Sequence, residues 1–278
     1  MDKQFWFSIR DDKFMPPAGH NVLALTEGLF SYLGSTDPEL RDAIAYETFA
    51  NWLDQDVYSP DEMRGYILRL LINLQEGLGE RDTDTVFLRS FSALSLAEVV
   101  NHDNQEPFLD SDEVHNLLEK GLAYLEAEAD PRGYVPDKGW AHALAHTADL
   151  LMVLGQNRFL NAADLAAILY GITDKLIQPT GWVYVHGEDD RLVRAVLAIL
   201  RRKLLESDDV KNWLGTFTAP KSSSWKASFE DEAMNHAYFN TRTFLRSFYL
   251  RASRSDGLAN KDELVSTLLA ALQDLKQF

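Results

Sequence analysis

Residues 87–100 read FLRSFSALSLAEVV, and the first five of them, FLRSF, return at residues 244–248, 157 positions later. Apolar residues recur in this stretch at helical spacing, so we predict a helix at each copy. The separation corresponds to about three periods of 52 residues, and repetition on that scale is typical of chains built from stacked helical units. The echo therefore favours a helical-repeat fold.

Three further stretches fit the same repeat: LRDAIAYETFANWL from Leu40, WAHALAHTADLL from Trp140 and DRLVRAVLAIL from Asp190. Each predicts a helix from the spacing of its apolar residues. We call one position in each of the five stretches its anchor, and successive anchors are 48, 53, 49 and 55 residues apart. Three of the residues four places after an anchor are alanine, which would let a neighbouring helix approach closely. The anchors are Arg41, Arg89, His142, Arg191 and Arg246, and the residues four places later are Ala45, Ala93, His146, Ala195 and Leu250.

Helices are also predicted between these stretches, at residues 61–78, 112–127, 162–177 and, more briefly, 209–214. The repeating unit is then a helix pair of about 50 residues, and such pairs cover nearly the whole chain. We predict an all-α fold, a right-handed α/α superhelix of HEAT-like helical hairpins. It would form a single domain over residues 1–278, with an irregular segment at about 1–20 and a flexible loop at about 216–228.

The composition is acidic, with 43 Asp and Glu against 27 Lys and Arg and a formal charge of -16. Such a charge repels nucleic-acid phosphates and anionic lipid surfaces. The chain has no cysteine, which excludes disulfides and thiolate metal sites and fits the cytoplasm. No apolar run reaches the roughly 18 residues of a membrane span. We therefore predict a cytoplasmic protein that binds neither nucleic acid nor membrane, and the sequence indicates no cofactor.

The stretch GWAHALAHTADLL, residues 139–151, carries the best candidates for chemistry. On a helix, His142, His146 and Asp149 would fall within about 60° of one another, so one face would carry two imidazoles and a carboxylate. The histidine spacing matches the zinc-protease pattern H-E-x-x-H, but Ala143 replaces the glutamate that activates water, which excludes that class. The three side chains could bind a metal, contact a small ligand, or form a hydrogen-bonded seam between packed helices.

Two loops in consecutive repeats have similar compositions. DPRGYVPDKGWAH, residues 130–142, and QPTGWVYVHGEDDRL, residues 178–192, both combine Gly-Trp with tyrosine, histidine and acids, so we expect a shared groove. The arginines at the repeat anchors could form a cationic stripe for carboxylate or phosphate, or a structural ladder with nearby acids. The candidate lining of the groove is Arg89, Trp140, His142, His146, Asp149, His186, Glu188 and Arg191, with His236 a further candidate.

Taken together, the runs LRDAIAYETFANWL, FLRSFSALSLAEVV, GYVPDKGWAHALAHTADLL and YVHGEDDRLVRAVLAIL resemble a bacterial family of proteins of unknown function, the one numbered 2785. The resemblance is expected to span about Leu40 to Leu205. It implies a helical, repeat-like bacterial protein with no assigned activity, and it adds weight to the fold rather than to a mechanism.

The leading functional prediction is a binding or interaction protein, whose groove takes an unknown partner protein or small molecule. The alternative is a metal-dependent hydrolase that uses His142, His146 and Asp149 as ligands and Glu188 as general base. A weaker alternative is a carbohydrate-acting enzyme in which Glu188 and Asp149 are paired carboxylates. The sequence leaves open whether the protein is an enzyme.

Overall fold

The computed structural model describes residues 1–218 and 225–275, and most of these residues are helical, which confirms the all-α prediction. No helix within these ranges is long and apolar enough to cross a membrane. The elements are α1 (Lys3–Asp11), α2 (Val22–Tyr32), a π-helix (Glu39–Tyr46), α3 (Glu47–Asp54), α4 (Pro60–Asn73), α5 (Thr85–Gln105), α6 (Ser111–Ala127), β1 (Tyr134–Val135), β2 (Gly139–Trp140), α7 (Ala143–Gln156), α8 (Ala162–Ile177), α9 (Glu188–Arg201), α10 (Ser207–Thr218), a 3-10 helix (Trp225–Phe229), α11 (Glu232–Arg254) and α12 (Lys261–Asp274).

The chain forms two compact units. The first unit comprises Met1–Asp110 and Ala127–Leu150, and the second comprises Ser111–Glu126 and Leu151–Phe278. Each unit has its own buried core, and each is described by itself.

An aromatic cluster forms the core of the first unit near its N-terminal helices. Phe30 of α2, Phe49 of α3 and Tyr66 of α4 pack edge to face, with ring centroids 5.0 to 5.8 Å apart. α4 begins where the sequence predicts, because Ser59 and Glu62 form a capping box that satisfies the first free amides of the helix. The packing of these rings therefore holds α2, α3 and α4 together.

The N-terminal segment differs from the irregular stretch that the sequence suggested. Residues Lys3–Asp11 form α1, which Asp2 caps by accepting a hydrogen bond from the amide of Phe5. Trp6 and Ile9 are buried on its inner face. Their burial stabilises a helix that is too short to persist alone in water.

The second unit is organised around α11, which packs against α8, α9 and α12. Trp213 of α10 is buried and donates from Nε1 to the carbonyl of Leu169 in α8, at 2.9 Å. The flexible loop expected at 216–228 lies partly outside the described residues. Its described ends are helical, since α10 continues to Thr218 and the 3-10 helix begins at Trp225.

Contacts within each unit join positions about one predicted repeat apart. In the first unit the Tyr46 hydroxyl donates to Glu98, 52 residues away, and Ser90 contacts His146, 56 residues away. In the second unit His115 contacts Asp164, 49 residues away. Such separations are expected of helical units that recur about every 50 residues.

Candidate functional site

A short β-hairpin precedes the helix that carries the predicted histidines. β1 and β2 pair antiparallel, with Tyr134 opposite Trp140. The turn requires Gly139, whose φ is +78°, and a Cβ there would lie 3.1 Å from both Nη2 of Arg41 and Cβ of Pro38. A side chain at position 139 would therefore meet both unfavourable backbone geometry and no space.

The prediction of a helix from Trp140 is wrong at its start. Trp140 lies in β2, and His142 precedes α7 with a φ of +52°. The reason is the hairpin, because the amide of His142 donates to the carbonyl of Arg132 instead of entering a helix. His142 therefore does not share a helix face with His146 and Asp149, although its carbonyl accepts the α7 hydrogen bond from the amide of His146.

Aromatic and imidazole rings nevertheless form a column from the surface into the first unit. Trp140 is 40% exposed and stacks on His142, with ring centroids 4.3 Å apart. His142 is 8% exposed and meets the ring of His146 edge to face at 5.8 Å. His146 in turn packs edge to face on Phe91 of α5. Tyr134, which is 50% exposed, contacts the edge of Trp140 and completes the surface end of the column.

The protonation of His146 follows from its contact with Ser90. The buried Ser90 hydroxyl lies 2.8 Å from Nδ1 of His146 and also hydrogen-bonds the carbonyl of Ala141. A carbonyl can only accept, and a hydroxyl has one proton to donate, so Ser90 donates to Ala141 and accepts from His146. Nδ1 of His146 therefore carries a proton, and in the neutral ring the lone pair is on Nε2. The same arrangement argues against Ser90 as a nucleophile, because His146 does not withdraw its proton.

Asp149 lies near a second carboxyl group that the sequence did not single out. Burial raises the pKa of Glu98, and the negative charges of Asp54 and Asp149 raise it further. The hydroxyl of Tyr46 donates to Glu98 at 2.6 Å, which partly opposes this rise. Glu98 of α5 thus lies within the electrostatic reach of two carboxylates, Asp54 and Asp149.

Arg89 is fully buried and does not line an open surface. Its guanidinium binds the carboxylate of Glu128 at 2.6 and 3.1 Å and donates from Nη1 to the carbonyls of Glu76 and Gly77, at 2.8 Å each. Arg41 is also fully buried, over the ring of Phe87. These contacts support the structural ladder rather than the cationic stripe.

The other candidates lie in the second unit. Glu188 is the first residue of α9 and is buried, which raises the pKa of its carboxyl group. Its Oε2 accepts from the amide of His186 at 2.8 Å, and its Oε1 lies 4.0 Å from Nδ1 of His186. The carboxylate thus holds the loop against the start of α9. Arg191 lies on α9 and is partly buried, whereas His236 of α11 contacts the carbonyl of Thr180 at 3.1 Å.

No group of three or more histidine, aspartate or glutamate side chains in residues 1–218 and 225–275 is arranged to hold a metal ion. The structure therefore gives the metal-dependent hydrolase no support.

Sequence reasoning missed Ser90, Glu98 and Tyr46 as neighbours of the predicted site. Ser90 lies in the FLRSF run, whose repetition predicts the helical repeat. A polar residue in an otherwise apolar helical stretch is a signal that could have identified Ser90, because a buried hydroxyl needs a hydrogen-bond partner. Tyr46 carried no comparable signal, since a tyrosine at helical spacing is ordinary in a core.

The fold and the column define an all-helical protein with a partly exposed aromatic and histidine site. Residues 74–250 match the family described as "Protein of unknown function (DUF2785)", and the chain belongs to this family. The match begins and ends later than the span of Leu40 to Leu205 that the resemblance suggested. No curated protein and no solved structure matches the chain.

Proposed function

We propose that this protein is a helical-repeat binding protein that takes a small molecule at the surface end of the Trp140, His142 and His146 column. The observation that carries the proposal is the stack of a partly exposed Trp140 on His142, whose backbone is left-handed. A left-handed conformation costs an ordinary residue about 1–2 kcal/mol, and at His142 the hairpin hydrogen bond from its amide to the carbonyl of Arg132 helps to hold it. The geometry thus stacks a partly exposed indole ring on a buried imidazole.

The chemistry of the column restricts the ligand. Trp140 and Tyr134 offer apolar ring surface, which suits a ligand with an apolar or planar face. The histidines behind them supply polarity at the inner end, where Ser90 fixes the proton of His146 on Nδ1. We therefore expect a ligand with a ring or hydrocarbon face and at least one polar group.

The HEAT-like superhelix is part of the same proposal. It is supported by contacts that recur about one repeat apart inside each unit. No observation favours the metal-dependent hydrolase or the carbohydrate-acting enzyme, so we propose neither of them. The cytoplasmic location stays a prediction from the composition.

Ligand-observed saturation-transfer NMR on mixtures of cellular metabolites tests the proposed site. We expect signals from one or a few compounds with the wild-type protein and their loss with Trp140→Ala, which removes a partly exposed ring and should leave the fold intact. The matched control is Phe239→Ala on α11, where the ring is 43% exposed. Equal signals from the Trp140→Ala and wild-type proteins would place binding elsewhere and overturn the proposal.

A further inference from the structure

A groove runs between the outer faces of α6 and α8 in the second unit. Its volume is about 440 Å³. The two helices run in the same direction and in step, because His115 meets Asp164 and Leu122 meets Gly171, each pair 49 residues apart. At Gly171 the helices approach closely, since a Cβ there would lie 3.1 Å from Cδ2 of Leu122. The lining includes Glu119, Leu122 and Glu126 of α6 and Ala167, Tyr170 and Asp174 of α8.

The floor of the groove is apolar and built from small side chains. Ala123 and Ala167 are exposed along it, and Tyr170 stands at its edge with 42% of its surface exposed. Small residues of this kind leave room for the side chains of another helix. Along α8 the lining extends from Ala167 to Lys175, which is about 12 Å at the helical rise and matches about two turns of a partner helix.

One end of the groove is strongly negative. Glu126 lies in the last turn of α6 and Asp174 in the last turn of α8. Because the helices run in step, both C-terminal ends, each with about half a negative charge from its free carbonyls, lie at this end. Acids are unfavourable there, and both carboxylates are exposed. Lys175, in the same last turn as Asp174, is the one positively charged residue that lines the groove, and it offsets part of this charge.

We propose that this groove docks a cationic amphipathic helix of a partner protein. Its apolar face would lie on Ala123, Ala167 and Tyr170, and its Lys or Arg side chains would reach Glu126, Asp174 and the adjacent helix ends. Charge complementarity identifies the occupant, because a cation at this end relieves two carboxylates and two helix ends together. This proposal is independent of the ligand site in the first unit.

Binding of a fluorescein-labelled synthetic peptide, measured by fluorescence anisotropy, tests the groove. The peptide is a helix of about 14 residues made of leucine and lysine, with leucine on one face. We expect Glu126→Lys with Asp174→Lys to weaken binding about tenfold at low salt. Ala167→Gln should weaken it by a similar factor, because it fills the floor without changing the charge.

Two controls separate docking from general attraction to an acidic protein. Glu27→Lys with Asp256→Lys makes the same change of net charge at exposed positions that do not line the groove and should leave binding within about twofold. A peptide of the same composition in scrambled order, without an apolar face, should bind much more weakly. Equal weakening by the two charge-reversed proteins, equal binding of the scrambled peptide, or no binding at all would overturn the proposal. So would a dimer of this chain that Ala167→Gln abolishes, since the occupant would then be a second copy.

Discussion

Replacing Arg89 with methionine measures how much the buried arginine holds the first unit together. Arg89 makes a bidentate pair with Glu128 and donates to two carbonyls in the turn after α4. Methionine keeps most of the volume but leaves Glu128 buried without its cation. Breaking a buried ion pair in this way costs about 3–5 kcal/mol. At about 2–4 °C per kcal/mol for a chain of this size, we expect the melting temperature to fall by about 6–20 °C.

Differential scanning calorimetry and urea unfolding measure this loss. The matched control is Arg10→Met, which removes an exposed arginine paired with Asp11 at 3.4 Å and should cost less than about 0.5 kcal/mol. Adding Glu128→Gln to Arg89→Met should recover more than about 1 kcal/mol of unfolding free energy, because it removes the negative charge that Arg89→Met leaves buried without a cation. If Arg89→Met lowers the free energy of unfolding by less than about 1 kcal/mol, the buried ion pair does not hold the unit together. The anchor arginines would then again be candidates for a cationic stripe.

Three further predictions concern the column and its surroundings. Nitrogen-15 NMR should show His146 protonated on Nδ1 in the neutral wild-type ring, and Ser90→Ala should shift the ring towards the Nε2-protonated form, because the acceptor for Nδ1 is lost. Gly139→Ala should destabilise the protein by about 1–3 kcal/mol in thermal unfolding, since φ is positive and the added methyl has no space. Glu98→Gln should stabilise the protein at neutral pH. The raised pKa of Glu98 means that the folded state favours the protonated carboxyl group. The stability that this gives is complete below the ordinary glutamate pKa and is lost as pH rises through the folded-state pKa. The stability difference between the Glu98→Gln and wild-type proteins, measured by urea unfolding, should therefore grow as the pH rises above the ordinary glutamate pKa.

Each of these predictions has a contradicting result. An unchanged nitrogen-15 pattern in Ser90→Ala would show that another group sets the protonation of His146. Gly65→Ala is the control for Gly139→Ala, because a Cβ at Gly65 on α4 meets nothing within 4 Å, so equal losses at the two positions would contradict the steric argument. A Glu98→Gln protein that is less stable than wild type at neutral pH would show that the carboxylate is favoured by its surroundings.

Helices with clear apolar spacing were predictable nearly to the residue. The helices predicted at 112–127 and 162–177 correspond to α6 and α8, because their inner faces follow one period and α8 begins at a capping box of Asn161 and Asp164. The helix predicted at 61–78 ends at Asn73, because the residues after it form a turn in which the carbonyl of Glu76 accepts a hydrogen bond from Arg89. That ending depends on a partner 16 positions later in the chain, which local spacing does not reveal.

Part of the candidate site was predictable from the sequence, but Arg89 lies in a buried ion pair, and His186, Glu188 and Arg191 lie in the second unit. Trp140, His142 and His146 do lie together, as the stretch suggested. Their arrangement depends on the hairpin, whose turn combines positive φ at Asp137 and Gly139. Alternating apolar positions over only two residues on each strand are too short to outweigh the helical spacing that follows. Tertiary packing on α5 then decided which imidazole nitrogen holds the proton.

The π-helix at Glu39–Tyr46 gives the chain a place where its length can change. Each backbone hydrogen bond there spans one residue more than in an α-helix, so the segment contains a residue that an α-helical path between the same ends would not need. Deleting one residue within it would let the backbone close into ordinary α-helical turns while α3 keeps its position. Most helices cannot lose a residue without rotating everything that follows. The chain is therefore expected to tolerate the loss of one residue here, inside a helix, and not only in the loops.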